Sequence, residues 1–573
     1  MKKMIGYILL SVCLQSMIGC KEAQPENAGG VFEYREIYLP ERNTEEAKLL
    51  KLNNVDNDWG IWGHHMNVVL PKNPSNAVFA SIGGRANTDQ FCFSSDRLYN
   101  YIVDYIDDHF GTNKTHRFAI LPNDNDIVCQ CKECVDKGCT SRNASPAVLS
   151  MIERLAQRFP KHIFFTSYYL TTSSLPKKPM PENTGVLISA FDYPISAKYS
   201  PEEMSFEKLL MKWKQVTSRI YIWDYINNFD DYFTPCPIFS AMQRRFQLYA
   251  KSGVTGVFLN GSGNDYCSFS RLKTHVLSAM MINPEVNWKE LLREKCNDFY
   301  PVTGQLIADY LIKQEEDFEQ SGKIIPLYQG VAVAKKTYLN DIDFITFHKQ
   351  LVKKLHLTEG EEKEEITQLV YSMMMTRLEL ERLKGSTSEA NSMLNYLSHV
   401  KDYGTRIYSE SFWTVDSYIN DYTAMVNEAE NRKKKDLLLG LQLIPLTALD
   451  EEYTDVSILT DGLTGLPSNY HCGQLISSAD PALKIAIPRV EGMKHLRVGM
   501  THNVQFHIAY PLRITLSANG QEIGSIEPPQ QSGISGRTSV EFEIPSSSSG
   551  TLILTIVRNQ EERTMAIDEI EGW

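Results

Sequence analysis

The stretch that decides the fold is His116-Arg-Phe-Ala-Ile-Leu-Pro-Asn-Asp-Asn-Asp-Ile-Val-Cys-Gln-Cys-Lys-Glu-Cys134. Phe118–Leu121 is a short apolar run that reads as a buried strand, and Pro122 ends it. Asp124 and Asp126 follow at once, flanked by Asn123 and Asn125. A buried strand that delivers carboxylates at its C-terminal end is how α/β barrels build active sites.

Working outward, short apolar runs alternate with amphipathic helical segments from about residue 31 to residue 282. Candidate strands are Phe32–Leu39, Gly60–Leu70, part of Ala77–Phe93, Phe118–Leu121, Ile163–Leu170, Val186–Phe191, Arg219–Trp223 and Val254–Leu259. Candidate helices are Ser95–His109, Ser145–Phe159, Pro201–Val216 and Ile238–Lys251. Eight strands in such alternation predict a (β/α)8 TIM-type barrel. Residues 283–438 change to helical periodicity, clearest over Glu361–Lys384, and predict a helical domain. Residues 439–573 carry short β-rich runs (Leu496–Gly499, Gln505–Ile508, Leu512–Ala518, Ser539–Ile544, Thr551–Arg558) and the hairpin signal Asn519-Gly520, and predict a β-sandwich.

A length of 573 residues calls for several cores, in keeping with these three regions. A formal net charge of −12 makes nucleic acid and anionic membrane surfaces poor partners. Lys2-Lys3, the apolar run through Met17 and Met17-Ile-Gly-Cys20 read as residues 1–20 of a lipoprotein signal peptide, with lipid on Cys20 and residues 21–30 as a polar tether. The expected location is the cell envelope, on the outer membrane of a Gram-negative bacterium. Export permits disulfides. Cys129, Cys131, Cys134 and Cys139 therefore form one or two disulfides that staple the loop, or a structural zinc site. The absence of two Cys-x-x-Cys pairs favours disulfides. No metal is assigned to the catalytic site and no cofactor is implied.

Residues two apart on an extended chain face the same way, so Asp124 and Asp126 are a candidate catalytic pair at the barrel mouth. The same Asn-Asp-Asn-Asp run is also a strong turn signal. Polar and aromatic groups recur at other strand ends: His64, Tyr168, Asp192, Trp223, Asp224, Tyr225 and Asn260 are candidate substrate-binding residues, with Arg85 and Asn123. Rings interspersed with carboxylates and amides suit a glycan subsite.

Together, Trp59-Gly-x-Trp-Gly-His64, Arg85 upstream of Gln90-Phe-Cys92, Leu121-Pro-Asn-Asp124 with Cys-x-Cys-x-x-Cys, Arg219-x-Tyr-x-Trp-Asp-Tyr225 with Pro235-x-Pro237, and Gly253-Val-x-Gly-Val-Phe258 resemble the DUF4838 domain, corresponding to glycoside hydrolase family 163. The resemblance spans roughly residues 32 to 310. It implies a barrel endo-β-N-acetylglucosaminidase of gut-type Bacteroidetes acting on N-glycans, in which the substrate's 2-acetamido oxygen attacks the anomeric carbon. Carried over, Asp124 orients the acetamide and Asp126 is the acid/base. Asp126 stands where the longer Glu is expected; Asp224 and Asp265 are the runners-up. Leu459-Thr-Asp-Gly462, Pro511–Gly520 and Ile567-Asp-Glu-Ile570 resemble a discoidin-like sandwich that binds sugar or braces the barrel. Two rival readings follow. One is a non-catalytic glycan-binding lipoprotein on the same scaffold. The other is another barrel glycosidase such as an α-glucuronidase, for which Arg85 is the candidate uronate ligand.

Overall fold

A computed structural model describes residues 30–111, 114–529, 535–546, 548, 550–559 and 564–573. The signal peptide, Cys20 and nearly all of the tether lie outside the described residues. No helix among the described residues is long and apolar enough to cross a membrane.

Seven parallel strands form one curled sheet: β1 (Tyr34–Tyr38), β2 (Trp59–Ile61), β3 (Arg117–Ala119), β4 (Ile163–Tyr168), β5 (Thr184–Ser189), β6 (Ile220–Tyr225) and β7 (Gly256–Asn260). Their order is β1-β7-β6-β5-β4-β3-β2. This is the order of a barrel, with sequence neighbours paired and the first strand against the last. Among the described residues no ladder joins β1 to β2, so the sheet is a half-barrel rather than the closed eight-stranded barrel expected. That seam is spanned by side chains. Trp59 Nε1 donates to Tyr34 Oη at 3.0 Å, and Val55 N donates to Glu36 Oε1 at 3.0 Å.

The missing strand is the Ala77–Phe93 candidate. It folds as an antiparallel hairpin outside the sheet, Phe79–Ile82 against Arg85–Phe91. The connection is Gly83-Gly84, both at positive φ (57° and 80°). A two-residue turn with both central residues left-handed matches the twist of antiparallel strands and cannot feed a parallel crossover. The Gly60–Leu70 candidate shortens to β2 because Gly63 also has positive φ.

The inside of the curl is filled with rings. Tyr34, Trp59, Phe165, Tyr221 and Phe258 pack with Leu121 and Leu187. On the outside, helices including Ser145–Arg158, Pro201–Trp213, Phe239–Ser252 and Ser270–Ile282 cover the sheet. Pro201–Trp213 begins with a capping box between Ser200 and Glu203.

Helices from Trp288 to Glu430 form the second region, with Gly360–Arg382 buried along most of its length. The C-terminal region is a β-sandwich of a five-stranded and a four-stranded antiparallel sheet around one apolar core. Asn519-Gly520 makes the expected hairpin, pairing Ala518 with Gln521. Gln505–Ile508 is a turn and not a strand.

Segment 226–240 is buried throughout and touches all three regions. Tyr232 N donates to Tyr408 O, and Asp230 Oδ2 meets His471 Nε2 of the sandwich at 2.7 Å.

Glu36 gives this half-barrel a pH signature. Desolvation pushes its carboxyl up to about 8, against the opposing hydrogen bonds from Tyr34 and Val55. The folded protein thus holds a proton that the unfolded chain releases near pH 4–5. Its stabilising contribution is complete below that range and is lost as pH rises through about 8. Urea titrations should show wild type losing on the order of 4 kcal/mol relative to Glu36→Gln between pH 5 and 8. Parallel pH profiles for the two proteins would contradict this.

A candidate active site at the open end of the half-barrel

The strands deliver side chains to their C-terminal ends with a period of two. Phe165, Ser167 and Tyr169 fall on one face, as do Leu187 and Ser189 on β5, Tyr221, Trp223 and Tyr225 on β6, and Phe258 and Asn260 on β7. The deeper members make the aromatic core. The outer members line a cleft of about 240 Å³ with His64, Leu121, Asp124, Phe191, Tyr328 and Glu410.

The strand β3 stops at Ala119, and residues 124–126 form a bend rather than a strand. The hairpin holds that bend. Asn123 N donates to Gln90 Oε1 at 3.0 Å. Gln90 Nε2 donates to Asn123 O at 3.1 Å and to Asn125 Oδ1 at 2.9 Å. The Asn123 and Asn125 amides both donate to Asp89 O, at 2.8 and 2.9 Å. With the two asparagines turned to the hairpin, Asp124 lines the cleft. Asn123 fastens the loop to the hairpin and is not among the residues lining the cleft. Asp124 and Asp126 are both exposed, but only Asp124 lines the cleft.

His64 Nδ1 lies 2.6 Å from Pro122 O. A carbonyl only accepts, so the proton is assigned to Nδ1 and a neutral ring keeps Nε2 as an acceptor. Burial, together with the charges of Asp124 and Asp192, pushes the Tyr169 phenol up to about 12. Trp223 stacks on Trp62 at 4.9 Å and 8°. Its Nε1 is buried without a partner, a donor that a ligand would satisfy. Tyr225 Oη is 3.2 Å from Ser189 Oγ.

The second carboxylate comes from beyond the barrel. Glu410 N donates to Phe229 O at 2.7 Å, which fixes it to the buried segment 226–240. Tyr328 Oη donates to Glu410 Oε2 at 2.7 Å. Desolvation holds the Glu410 carboxyl above its ordinary range; the Tyr328 bond opposes this, and the charges of Asp230 and Asp124 add to it. A carboxyl with a raised pKa beside a second carboxylate is the arrangement of an acid and its partner.

Other expected residues lie elsewhere. Tyr168 faces the helix layer and packs edge-on against Trp213 at 5.9 Å. Asp224 is fully buried, bonded to Arg245 Nη1 at 2.5 Å and Tyr249 Oη at 2.6 Å. Asp192 is exposed beyond the cleft lining, and Arg85 is exposed beside the hairpin turn. Asp265 lines a separate cavity of about 350 Å³ with Glu41, Arg271 and Glu365. Of the expected site residues, the cleft gathers His64, Asp124, Trp223, Tyr225 and Asn260. Tyr328 and Glu410 were not foreseen, because nothing local in the sequence ties them to the strand ends.

No curated protein matches the chain. Among solved structures, a family GH115 4-O-methyl-α-glucuronidase with specificity for decorated arabinogalactans aligns with 84% of this chain and 67% of its own, at 11% identity and a TM-score of 0.37. A GH138 enzyme targeting pectin rhamnogalacturonan II aligns with 94% of this chain and 84% of its own, at 8% identity and a TM-score of 0.28. The lectin domain of lectinolysin, solved with Lewis B antigen, aligns with 25% of this chain and 98% of its own, at 10% identity and a TM-score of 0.20. Residues 31–312, the half-barrel and the helices that cover it, match the family model of DUF4838, a domain of unknown function.

Proposed function

We propose that the chain is a glycoside hydrolase, with Glu410 as the proton donor and Asp124 as the second carboxylate. The observation that carries this reading is the placing of Glu410 and Asp124 in the lining of one aromatic cleft, with the Glu410 carboxyl held above its ordinary range. Cleaving a glycosidic bond needs an acid for the leaving oxygen and a carboxylate that stabilises the developing positive charge or positions the group that does so. Tyr169, Phe191, Trp223, Tyr225 and Tyr328 offer ring faces for a sugar.

No Arg or Lys lines the cleft among the described residues. Two carboxylates without a fixed cation disfavour an anionic sugar, which argues for a neutral glycan over a uronate. By the resemblance described above, the substrate is an N-acetylglucosamine-containing N-glycan cut internally. Asp124 would then orient the 2-acetamido group, while Glu410 protonates the leaving oxygen and later activates water. This assigns to Glu410 the role expected of Asp126 and supplies the Glu that the chemistry calls for.

The test is incubation of purified protein with complex N-glycoprotein, a panel of neutral polysaccharides and a uronate-decorated one, with released sugars read by mass spectrometry. Free glycans ending in one N-acetylglucosamine are expected. Release of uronic acid alone would overturn the substrate class. Binding without release from any glycan would leave a binding protein.

The Glu410 environment also fixes a pH response. Loss of the acid's proton should set the basic limb of kcat/KM. Tyr328→Phe removes a bond that lowers the Glu410 pKa, so the basic limb should move to higher pH. An unmoved limb would mean that another group is the acid.

A further inference from the structure

The cysteines beside the Asp124 bend are unpaired thiols brought to one point. Cys92 follows the outer hairpin strand, and Cys129, Cys131 and Cys134 come from the loop after the bend. Their four Sγ atoms all lie within 4.8 Å of one another. Cys92 Sγ is 3.6 Å from Cys131 Sγ and 3.8 Å from Cys134 Sγ. Disulfide sulfurs sit at about 2.05 Å, and all nine described cysteines are free. The loop staple expected from disulfides is therefore not what these positions make.

The distances match another object. Four sulfurs at about 2.3 Å from a tetrahedral zinc ion are about 3.8 Å apart. Cys92 also resolves the spacing problem: Cys129, Cys131 and Cys134 lack a second Cys-x-x-Cys pair because the fourth sulfur comes from the hairpin. Donors that suit thiolates are in place. Ser81 N donates to Cys129 Sγ at 3.2 Å and Cys134 N to Cys131 Sγ at 3.4 Å. Ser94 Oγ is 3.2 Å from Cys134 Sγ. Amide-to-sulfur bonds of this kind orient ligands and spread their charge. Cys139 is buried nearby but outside the set; its Sγ is 3.8 Å from Ala144 O.

We propose that Cys92, Cys129, Cys131 and Cys134 bind one structural zinc ion as four thiolates. Binding replaces four S–H bonds by four Zn–S bonds, and the four protons go to solvent. With four sulfurs the coordination is closed, so the ion takes no part in sugar chemistry. Its work is positional. It ties the hairpin to the loop on one side of Asp124, as Gln90 ties them on the other. The inference does not depend on the glycosidase reading.

The test uses the full chain expressed with zinc and purified without chelator. Elemental analysis should give one zinc per chain, and X-ray absorption at the zinc edge should give four sulfurs near 2.3 Å. A mercurial that titrates thiols should release the zinc to a chromogenic chelator. Cys131→Ser, at the least buried of the four positions, should lower zinc content at least tenfold, while Cys139→Ser should keep one zinc per chain. Should Cys131→Ser fail to fold, the absorption spectrum of the wild type decides alone. Iron in place of zinc, a nitrogen or oxygen in the ligand shell, or disulfides among these cysteines in unreduced peptide maps would overturn the assignment.

Discussion

Glu410→Gln is expected to lower kcat on a natural glycan by roughly 10²–10⁴-fold, the range by which general acid catalysis accelerates such steps. Its cause can be isolated. A substrate whose leaving group needs no proton, such as a dinitrophenyl glycoside, should recover most of the lost rate in Glu410→Gln. Asp124→Asn should lose a comparable factor on both substrates, because its role at the sugar does not depend on the leaving group. Asp126→Asn should stay within a few-fold of wild type, since that carboxylate does not line the cleft. If Asp126→Asn is the variant rescued by the activated substrate, the acid has been misassigned and the sequence-based pair was right.

The second large effect is on stability. Asp224 and Arg245 are both buried, 2.5 Å apart, and Arg245 Nη2 also donates to the Tyr193 and Pro194 carbonyls. Asp224→Asn removes the nearer of the guanidinium's two buried counter-charges and leaves only Glu203, whose Oε1 lies 3.8 Å from Arg245 Nε. Breaking a buried pair from one side costs about 3–5 kcal/mol. Urea unfolding should show a loss of that size, with KM of the folded fraction unchanged. A variant as stable as wild type but with a raised KM would return Asp224 to the glycan subsite.

The Asp224 case shows what was legible in the sequence. Ile222-Trp-Asp-Tyr225 marks a strand end rich in chemistry, and the strand is there. Strand periodicity then splits the motif. Trp223 and Tyr225 face the cleft, and Asp224 between them faces the helix Phe239–Ser252 that carries Arg245. The same alternation replaces Tyr168 by Tyr169. Both corrections were available from period two alone, once the register was fixed by Phe165 and Tyr221 in the core. The hairpin was legible too, because Gly83-Gly84 is a turn signal; the apolar residues on either side had the stronger pull toward a barrel strand. Glu410 was not legible. Its place depends on the Phe229 carbonyl and the Tyr328 hydroxyl, contacts between segments far apart in the chain that no local pattern encodes.

That separation has a consequence for how the molecule can be cut and recombined. The stretch shared with DUF4838 ends at residue 312, ahead of both Tyr328 and Glu410. A boundary drawn by similarity would excise the pocket floor with Asp124 and leave the proposed proton donor behind. On the proposed assignment, the matched stretch and the reactive cleft do not coincide. Joining a different C-terminal half to the same half-barrel would exchange the proposed acid while keeping the cleft's rings from the strand ends, and would alter the proposed reaction without touching a residue of the matched stretch.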